Sequence, residues 1–241
     1  MTEHYDVIAV SPHPDDAEIG CGGTLALLSN EGYRCGIIDL TDGEPTPFND
    51  DPAIRIEESL QSAKTLGIER ILLDLPNRTL MDSIKARLAL ARAFRQTQPR
   101  IVIGMQGVTP NASPDHHQSQ LIFDAAIFYS RLSKWEHHFD GLPPWRIPQT
   151  FYYYTAREIH SEGFFPLQFI VDISNQFERK KEALLQYKSQ FRAHPSYNPP
   201  ILDWIEGMGR YFGSLIGCKY GEIFYGTKVL NVNLFQTYLS R

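Results

Sequence analysis

Short apolar runs alternate with longer segments of helical periodicity over the first half of the chain, and this alternation constrains the fold most strongly. The apolar runs are rich in β-branched residues and too short for helices, which favours buried strands; they lie at residues 6–11, 35–40, 71–73 and 101–103. The segments between them show helical spacing, at residues 19–31, 54–66 and 84–91. Strands joined by helical crossovers predict βαβ units and a parallel sheet. We therefore predict an α/β, Rossmann-like doubly wound fold, with a mostly parallel sheet and helices on both faces.

The alternation weakens after about Phe139. A Pro-rich loop at 141–144 and an aromatic run at 151–154 are followed by a candidate strand at 169–172 and a long helix through about Gln190. No linker composition or internal repeat divides the chain. With 241 residues, of which 42% are hydrophobic and 21% charged, the chain is large enough for one sizeable core. We expect a single domain over residues 1–241, whose C-terminal third elaborates the same domain.

Charge and cysteine content limit the classes of partner. The formal net charge is −5, and the longest basic run, Arg179-Lys180-Lys181, is typical of a solvated helix face, so neither nucleic acid nor a membrane surface is an expected partner. The chain shows no signal-peptide pattern and no apolar segment near the ~20 residues that span a bilayer. Cys21, Cys35 and Cys218 have no CxxC spacing, which indicates free thiols in a reducing compartment. We expect a cytoplasmic protein.

Two loops rich in His and Asp follow the first and fourth predicted strands. They read Ser-Pro-His-Pro-Asp-Asp-Ala-Glu at residues 11–18 and Ser-Pro-Asp-His-His-Gln at residues 113–118. Open α/β sheets bind ligands beyond the carboxyl ends of their strands, where these loops meet. Zinc takes imidazole nitrogen and carboxylate oxygen at ~2.0–2.2 Å, and catalytic zinc has three protein ligands. Either loop alone also fits turn or helix-cap chemistry, but the pair predicts a mononuclear metal site.

Residues 13–25, His-Pro-Asp-Asp-Ala-Glu-Ile-Gly-Cys-Gly-Gly-Thr-Leu, closely resemble the signature of the LmbE/PIG-L family of metal-dependent N-acetylglucosaminyl deacetylases. Pro114-Asp115-His116 resembles the downstream motif of that family. The further matches are Thr41-Asp42-Gly43-Glu44, Arg55 with Glu58, Leu75-Pro76-Asn77-Arg78, Tyr187-Lys188-Ser189-Gln190-Phe191 and Tyr220-Gly221-Glu222-Ile223-Phe224. The last two are most similar to the bacillithiol-pathway branch, whose members deacetylate N-acetylglucosaminyl malate.

The resemblance implies metal ligands and a catalytic base. His13, Asp16 and His116 match the family's ligands, for Zn²⁺ or another divalent metal such as Fe²⁺. Asp15 matches its general base, which takes a proton from water and later delivers it to the departing amine.

The resemblance also places Arg55 and Glu58 at the substrate. A guanidinium can hold a substrate carboxylate with two parallel hydrogen bonds. The alternative is that Arg55 pairs with Glu58 along one helix face, because residues three apart on a helix are neighbours.

Ser113 departs from the family pattern, which has a histidine at this position to stabilise the oxyanion, with Asp115 as its catalytic partner. A serine at the substrate donates a hydrogen bond but supplies no positive charge, and losing one oxyanion donor costs ~10²–10³ in rate. His117, His194 or an arginine would have to replace the missing charge. The alternative is a metal-binding family member with altered or lost catalysis.

The sequence therefore predicts a zinc-dependent hydrolase that removes the N-acetyl group from an N-acetylglucosaminyl compound, with N-acetylglucosaminyl malate of bacillithiol biosynthesis as the named candidate. A nucleotide-binding Rossmann domain is the competing class, but no strand is followed by the glycine fingerprint that such domains need. The expected partners are a small amino-sugar substrate and further copies of the chain. The homo-oligomer is suggested by the family and by the aromatic run at 151–154.

Overall fold

The computed structural model describes residues 4–107, 112–154, 167–191 and 200–226. In the first part of the chain, strands and helices alternate as β1 (Val7–Ser11), α1 (Asp16–Asn30), β2 (Cys35–Asp39), α2 (Pro52–Leu66), β3 (Glu69–Leu72), α3 (Ile84–Thr97), β4 (Ile101–Met105) and α4 (Pro114–Ser130). The second part contains β5 (Gln149–Tyr153), β6 (Leu167–Asp172), α5 (Phe177–Leu184), α6 (Ile201–Ile216) and β7 (Gly221–Gly226). The predicted elements of the first part are therefore present, with ends shifted by a few residues.

The strands of the described residues form one seven-stranded sheet in the order β3-β2-β1-β4-β5-β7-β6. Strands β1 to β5 are parallel, whereas β7 pairs antiparallel with both β5 and β6. The predicted α/β fold with a mostly parallel sheet is confirmed. Adjacent parallel strands require crossover connections, and α1 to α4 supply them.

The sheet separates two hydrophobic cores, as a doubly wound fold requires. Because successive side chains of a strand point to opposite faces, Ile8 and Val10 of β1 enter one core and Val7 and Ala9 enter the other. Helices α3 and α4 cover the first core, and α1, α2 and α5 cover the second. Helices therefore lie on both faces of the sheet, as predicted.

Helix α1 lies unusually close to the sheet because of Gly20. A Cβ at this position would lie 2.1 Å from a ring carbon of Tyr153, which is far inside van der Waals contact. The Tyr153 hydroxyl, completely buried, donates to the carbonyl oxygen of Val10 at 3.0 Å. The aromatic run at 151–154 thus contributes to an internal strand, so its apolar side chains give no support to an oligomer interface, and the homo-oligomer stays a prediction.

The long helix expected to reach Gln190 is wrong, because α5 ends at Leu184. Beyond it, the chain makes long-range polar contacts instead of continuing the helical ladder. The Tyr187 hydroxyl donates to Glu18 Oε1 at 2.6 Å, and both the amide and the hydroxyl of Ser189 donate to the carboxylate of Glu58. These contacts fix residues 187–191 against α1 and α2, close to the carboxyl edge of the sheet.

The basic run at 179–181 is not a solvated face throughout. Lys180 is 4% exposed, and its ammonium donates to Glu222 Oε1 and to the carbonyl oxygen of Ile19, each at 2.7 Å. A buried ammonium is tolerated only with such partners. Cys21, Cys35 and Cys218 are free thiols, as predicted, and the first two are buried. No helix among the described residues is long and apolar enough to cross a membrane.

A buried ion cluster around Arg70 connects β2, β3 and α1. The Arg70 guanidinium donates to both carboxylate oxygens of Asp39, at 2.5 and 2.9 Å, and to Glu18 Oε1 at 2.5 Å. Its side chain is only 2% exposed. Glu18 therefore does more than favour the start of α1, because it closes this cluster directly beneath the first His/Asp loop.

Arg70→Met should destabilise the protein by about 3–5 kcal/mol, because it leaves two buried carboxylates without their counter-charge. Chemical denaturation measures the free energy of unfolding. The control is Arg34→Met, since Arg34 pairs with the exposed Glu69 and such surface pairs contribute about 0–1 kcal/mol. A loss in Arg70→Met no larger than in the control would contradict this account.

Candidate active site

The two His/Asp loops meet at the carboxyl ends of β1 and β4, which are neighbours at the centre of the sheet. From β1 the chain continues to β2 on one side, and from β4 to β5 on the other, so this is the switch point at which open α/β sheets bind ligands. His13 lies in the loop after β1, Asp16 begins α1, and His116 lies in the first turn of α4. The fold thus brings residues that are about a hundred positions apart to one place.

His13, Asp16 and His116 converge with one ligand atom each within 4.8 Å of the others. Asp16 Oδ2 lies 3.0 Å from His13 Nδ1 and 3.4 Å from His116 Nε2. Two imidazole nitrogens and one carboxylate oxygen are a donor set that catalytic zinc uses, with a position left for water or substrate. The residues present therefore fit a divalent metal.

Close contacts of Ser11 and Gly107 fix the two His/Asp loops in place. Ser11 Oγ donates to the carbonyl oxygen of His13 at 2.5 Å and accepts from the amide of Ala17 at 3.2 Å, which fixes the turn between β1 and α1. After β4, a Cβ on Gly107 would lie 2.4 Å from the carbonyl oxygen of His116. Only glycine allows this approach, which seats the first turn of α4 against the end of β4.

Asp115 lies behind His13. Its Oδ2 is 3.2 Å from His13 Nε2 and accepts from the backbone amide of Arg78 at 2.7 Å. A carboxylate on the far nitrogen of a ligating histidine fixes the tautomer and orientation of the ring, because it leaves the other nitrogen free for the metal. The structure thus directs Asp115 to His13, and its link to Ser113 is only the 3.3 Å contact between its amide and Ser113 Oγ.

Asp15 adopts a backbone conformation that is rare for a residue with a side chain, with φ of 115°. It occupies the N-cap position of α1, yet its side chain caps no amide, so the capping alternative does not hold for this residue. The carboxylate is 15% exposed and lies 3.2 Å from Arg55 Nη2. Burial raises the pKa of Asp15 to about 7, although the Arg55 charge opposes the increase. Strained backbone of this kind is characteristic of functional sites.

Arg55 is buried beneath Asp15, and each nitrogen of its guanidinium donates a hydrogen bond to an acceptor of its own chain. It donates to the carbonyl oxygen of Pro14 through Nε at 3.2 Å and Nη2 at 2.6 Å, and to that of Gly43 through Nη1 at 2.7 Å. Glu44 lies 3.6 Å from Nη1. Gly43, with φ of 80°, leaves room for the guanidinium, which a Cβ would approach to 2.6 Å. This arrangement makes Arg55 a support for the Asp15 loop and leaves no outward fork for a substrate carboxylate.

Glu58 pairs with Ser189 rather than with Arg55. The next residue, Gln190, donates to Glu44 Oε1 at 3.0 Å. Together these contacts attach the segment after α5 to the loop that supports Arg55. The motif matches at Glu44, Ser189 and Gln190 carried no assigned role in the sequence, because their partners are distant along the chain.

The two described residues considered for oxyanion stabilisation, Ser113 and His117, both lie at the start of α4. Ser113 is the N-cap of α4, with its hydroxyl oxygen accepting from the amide of Asp115. His117 is exposed on the first turn of the same helix. His194 lies outside the described residues.

The fold and the donor set define an α/β protein with a candidate metal site at its switch point. Residues 8–127 match the family model described as PIG-L, GlcNAc-PI de-N-acetylase, a stretch that contains both ligand loops. The chain belongs to the PIG-L/LmbE family and is a deacetylase of the amidohydrolase type.

Three relatives extend the comparison over nearly the whole chain. Diacetylchitobiose deacetylase of Thermococcus kodakarensis is 28% identical over 228 residues, which cover 90% of this chain and 80% of that protein. The conserved protein TT1542 from Thermus thermophilus is 33% identical with a TM-score of 0.78, covering 95% and 98% of the two chains. N,N'-diacetylchitobiose deacetylase from Pyrococcus horikoshii, in complex with its inhibitor MPG, is 28% identical with a TM-score of 0.77, covering 91% and 82%. None of them is named for N-acetylglucosaminyl malate, so the bacillithiol-pathway branch has no support here.

Proposed function

We propose that this deacetylase removes the N-acetyl group from an N-acetylglucosaminyl compound, with Zn²⁺ or Fe²⁺ held by His13, Asp16 and His116. The observation that carries the proposal is the convergence of these three donors at the switch point of the sheet. The adjacent Asp15, with its strained backbone and supporting arginine, adds the acid–base group that amide hydrolysis needs.

The chemistry divides between the cation and the chain. A divalent cation at this position would polarise the acetamide carbonyl and make water more acidic. The Asp15 carboxylate accepts a proton from the attacking water and returns it to the nitrogen of the leaving amine. Arg55 holds the Asp15 loop by its contacts with Pro14 and Gly43, and Asp115 orients the His13 ring. Asp15 and Asp115 are thus the proposed catalytic and positioning carboxylates.

The test is release of acetate by the purified protein loaded with zinc or iron. The substrate panel carries malate, inositol or sugar aglycones on N-acetylglucosamine, and it includes diacetylchitobiose because two relatives are named for it. At least one compound should be deacetylated, and chelation of the metal should abolish that activity. Metal-loaded protein without activity on any of them would contradict the proposed substrate class. A cytoplasmic location and a homo-oligomer stay predictions from the sequence.

Ser113 favours one alternative, a family member that binds metal with weakened catalysis. If residue 113 faces the developing oxyanion, Ser113→His should raise kcat by about 10-fold, because an imidazolium is a stronger donor than a hydroxyl. KM should change little, since the added contact exists mainly in the transition state.

The matched control is Ser113→Ala. Both variants lose the N-cap of α4, which costs about 1 kcal/mol and lowers Tm equally, but only histidine adds charge. A kcat in Ser113→His no higher than in Ser113→Ala would show that residue 113 does not serve the oxyanion. Absence of activity in the wild type and in both variants would favour the alternative of lost catalysis.

A further inference from the structure

Arg78 lies beside the candidate active site. Its backbone amide donates to Asp115 Oδ2 at 2.7 Å, at the start of the helix that follows β4. Its guanidinium donates to the carbonyl oxygen of Pro45, in the loop that follows β2, through Nη2 at 2.6 Å and Nε at 3.0 Å. Strands β2 and β4 flank β1 on either side. Arg78 therefore bridges the carboxyl edge of the sheet above the strand that leads to His13.

The position of Arg78 is fixed at both ends. Its φ of 62° lies in the left-handed region, which is uncommon for a residue with a side chain. The amide contact with Asp115 and the side-chain contacts with Pro45 hold the residue in this conformation. A guanidinium held in advance loses less side-chain entropy when it binds a ligand.

Arg78 differs from the two other arginines described at this edge. Arg55 and Arg70 are buried and each forms ion pairs with two carboxylates. Arg78 is exposed, and among the described residues its side chain contacts no carboxylate and Nη1 has no partner. Its positive charge is thus not compensated by a carboxylate of these residues, and Nη1 remains available to a ligand.

We infer that Arg78 recognises an anionic group on the substrate, so that the preferred substrate is an N-acetylated amino sugar with a carboxylate or phosphate in its aglycone. This inference rests on the proposed function. The carboxylates of Asp15, Asp16 and Asp115 lie at the candidate centre, where Arg55 and a bound divalent cation would compensate them, whereas the guanidinium of Arg78 has no carboxylate partner among the described residues. Such a guanidinium binds an oxyanion with directed hydrogen bonds.

The test compares two substrates that differ in one charge, the carboxymethyl glycoside of N-acetylglucosamine and its methyl ester. In Arg78→Gln, KM for the acid should rise about 10- to 100-fold, as expected for loss of a charge-assisted contact, with kcat changed less than about 3-fold. The effect on the ester should be several times smaller. Arg78→Lys should give an intermediate KM for the acid, because it keeps the charge without the fork. For the wild type, the KM of the acid should also rise with salt concentration.

The control is Arg100→Gln, which removes an exposed arginine from the opposite edge of the sheet, just before β4. It should leave both substrates unaffected. Arg78→Asn provides a second neutral variant, since asparagine tolerates the left-handed backbone. Normal Tm in either Arg78 variant separates loss of recognition from loss of structure.

The outcomes separate this inference from the proposed function. Acetate release from the ester with no preference for the acid, or equal effects of Arg78→Gln on both, would overturn the role of Arg78 and leave the function standing. If neither compound is hydrolysed, the proposed activity fails on them, and calorimetry then decides about Arg78. Binding of the acid that is weakened in Arg78→Gln would support the inference, whereas equal or absent binding of the two compounds would overturn it.

Discussion

Asp15→Asn is expected to keep the metal and to lower kcat about 10²- to 10⁴-fold, which is the usual contribution of a general base. The amide of asparagine has nearly the shape of the carboxylate but cannot accept a proton from water. The backbone should tolerate the change, because asparagine is among the residues that adopt positive φ most readily, and φ of residue 15 is 115°. The fold and the ligand geometry should therefore survive while proton transfer fails.

The measurement combines acetate release with metal analysis on the same preparation. Asp140→Asn is the matched control, since Asp140 also has a positive φ, of 52°, but pairs with Arg92 at the surface. This control should retain wild-type kcat. If Asp15→Asn holds its metal and turns over normally, another residue is the base and the support given by Arg55 has a different purpose.

The sequence predicted the part of the fold in which local pattern and tertiary structure agree. Strands β1, β2 and β4 are buried and the edge strand β3 is half-buried, so their apolar runs are visible, and each helix between them shows its periodicity. Because parallel strands share one carboxyl edge, the loops that contain His13 and His116 had to meet there. That geometry predicted a metal site, the family resemblance supplied its three ligands, and the structure brings them together.

The sequence could not predict features that depend on distant partners. The helix expected to reach Gln190 ends early because Tyr187 bonds Glu18, a residue 169 positions away. Lys180 was interpreted as solvated because its partner Glu222 is 42 positions away. A charged residue is interpreted as exposed from its sequence alone, because the oppositely charged partner that allows its burial is not known at that stage.

Distant partners also explain why Arg55 makes other contacts than its position in the sequence suggested. In sequence, its spacing from Glu58 suggests a pair along one helix face, whereas the family resemblance implies a guanidinium at the substrate. Its actual acceptors come from the loops after β1 and β2, at Pro14 and Gly43. The Glu58 carboxylate instead accepts a hydrogen bond from the Ser189 hydroxyl, 131 positions away. The resemblance singled out Arg55, but neither it nor local spacing could show which way the donors of this side chain point.

His13→Ala, Asp16→Ala and His116→Ala should each remove most of the bound metal from a protein that otherwise holds about one divalent ion per chain. Each variant deletes one of the three donors that lie within 4.8 Å of one another. Asp16→Ala should have the largest effect, since Asp16 Oδ2 contacts both imidazoles and its loss removes the only negative charge of the trio. Asp115→Asn should weaken metal affinity less, by about 10- to 100-fold, because it disturbs only the orientation of His13.

Mass-spectrometric metal analysis after dialysis measures these differences, with circular dichroism to confirm folding. The matched control is His117→Ala, which removes the neighbouring imidazole on the same turn of α4, an exposed side chain outside the trio. It should keep full occupancy. If His117→Ala loses as much metal as His116→Ala, the loss reflects damage to the start of α4 and not the removal of a ligand. Full occupancy in any of the three alanine variants would exclude that residue from the ligand set, and the site would then need a donor from elsewhere in the chain.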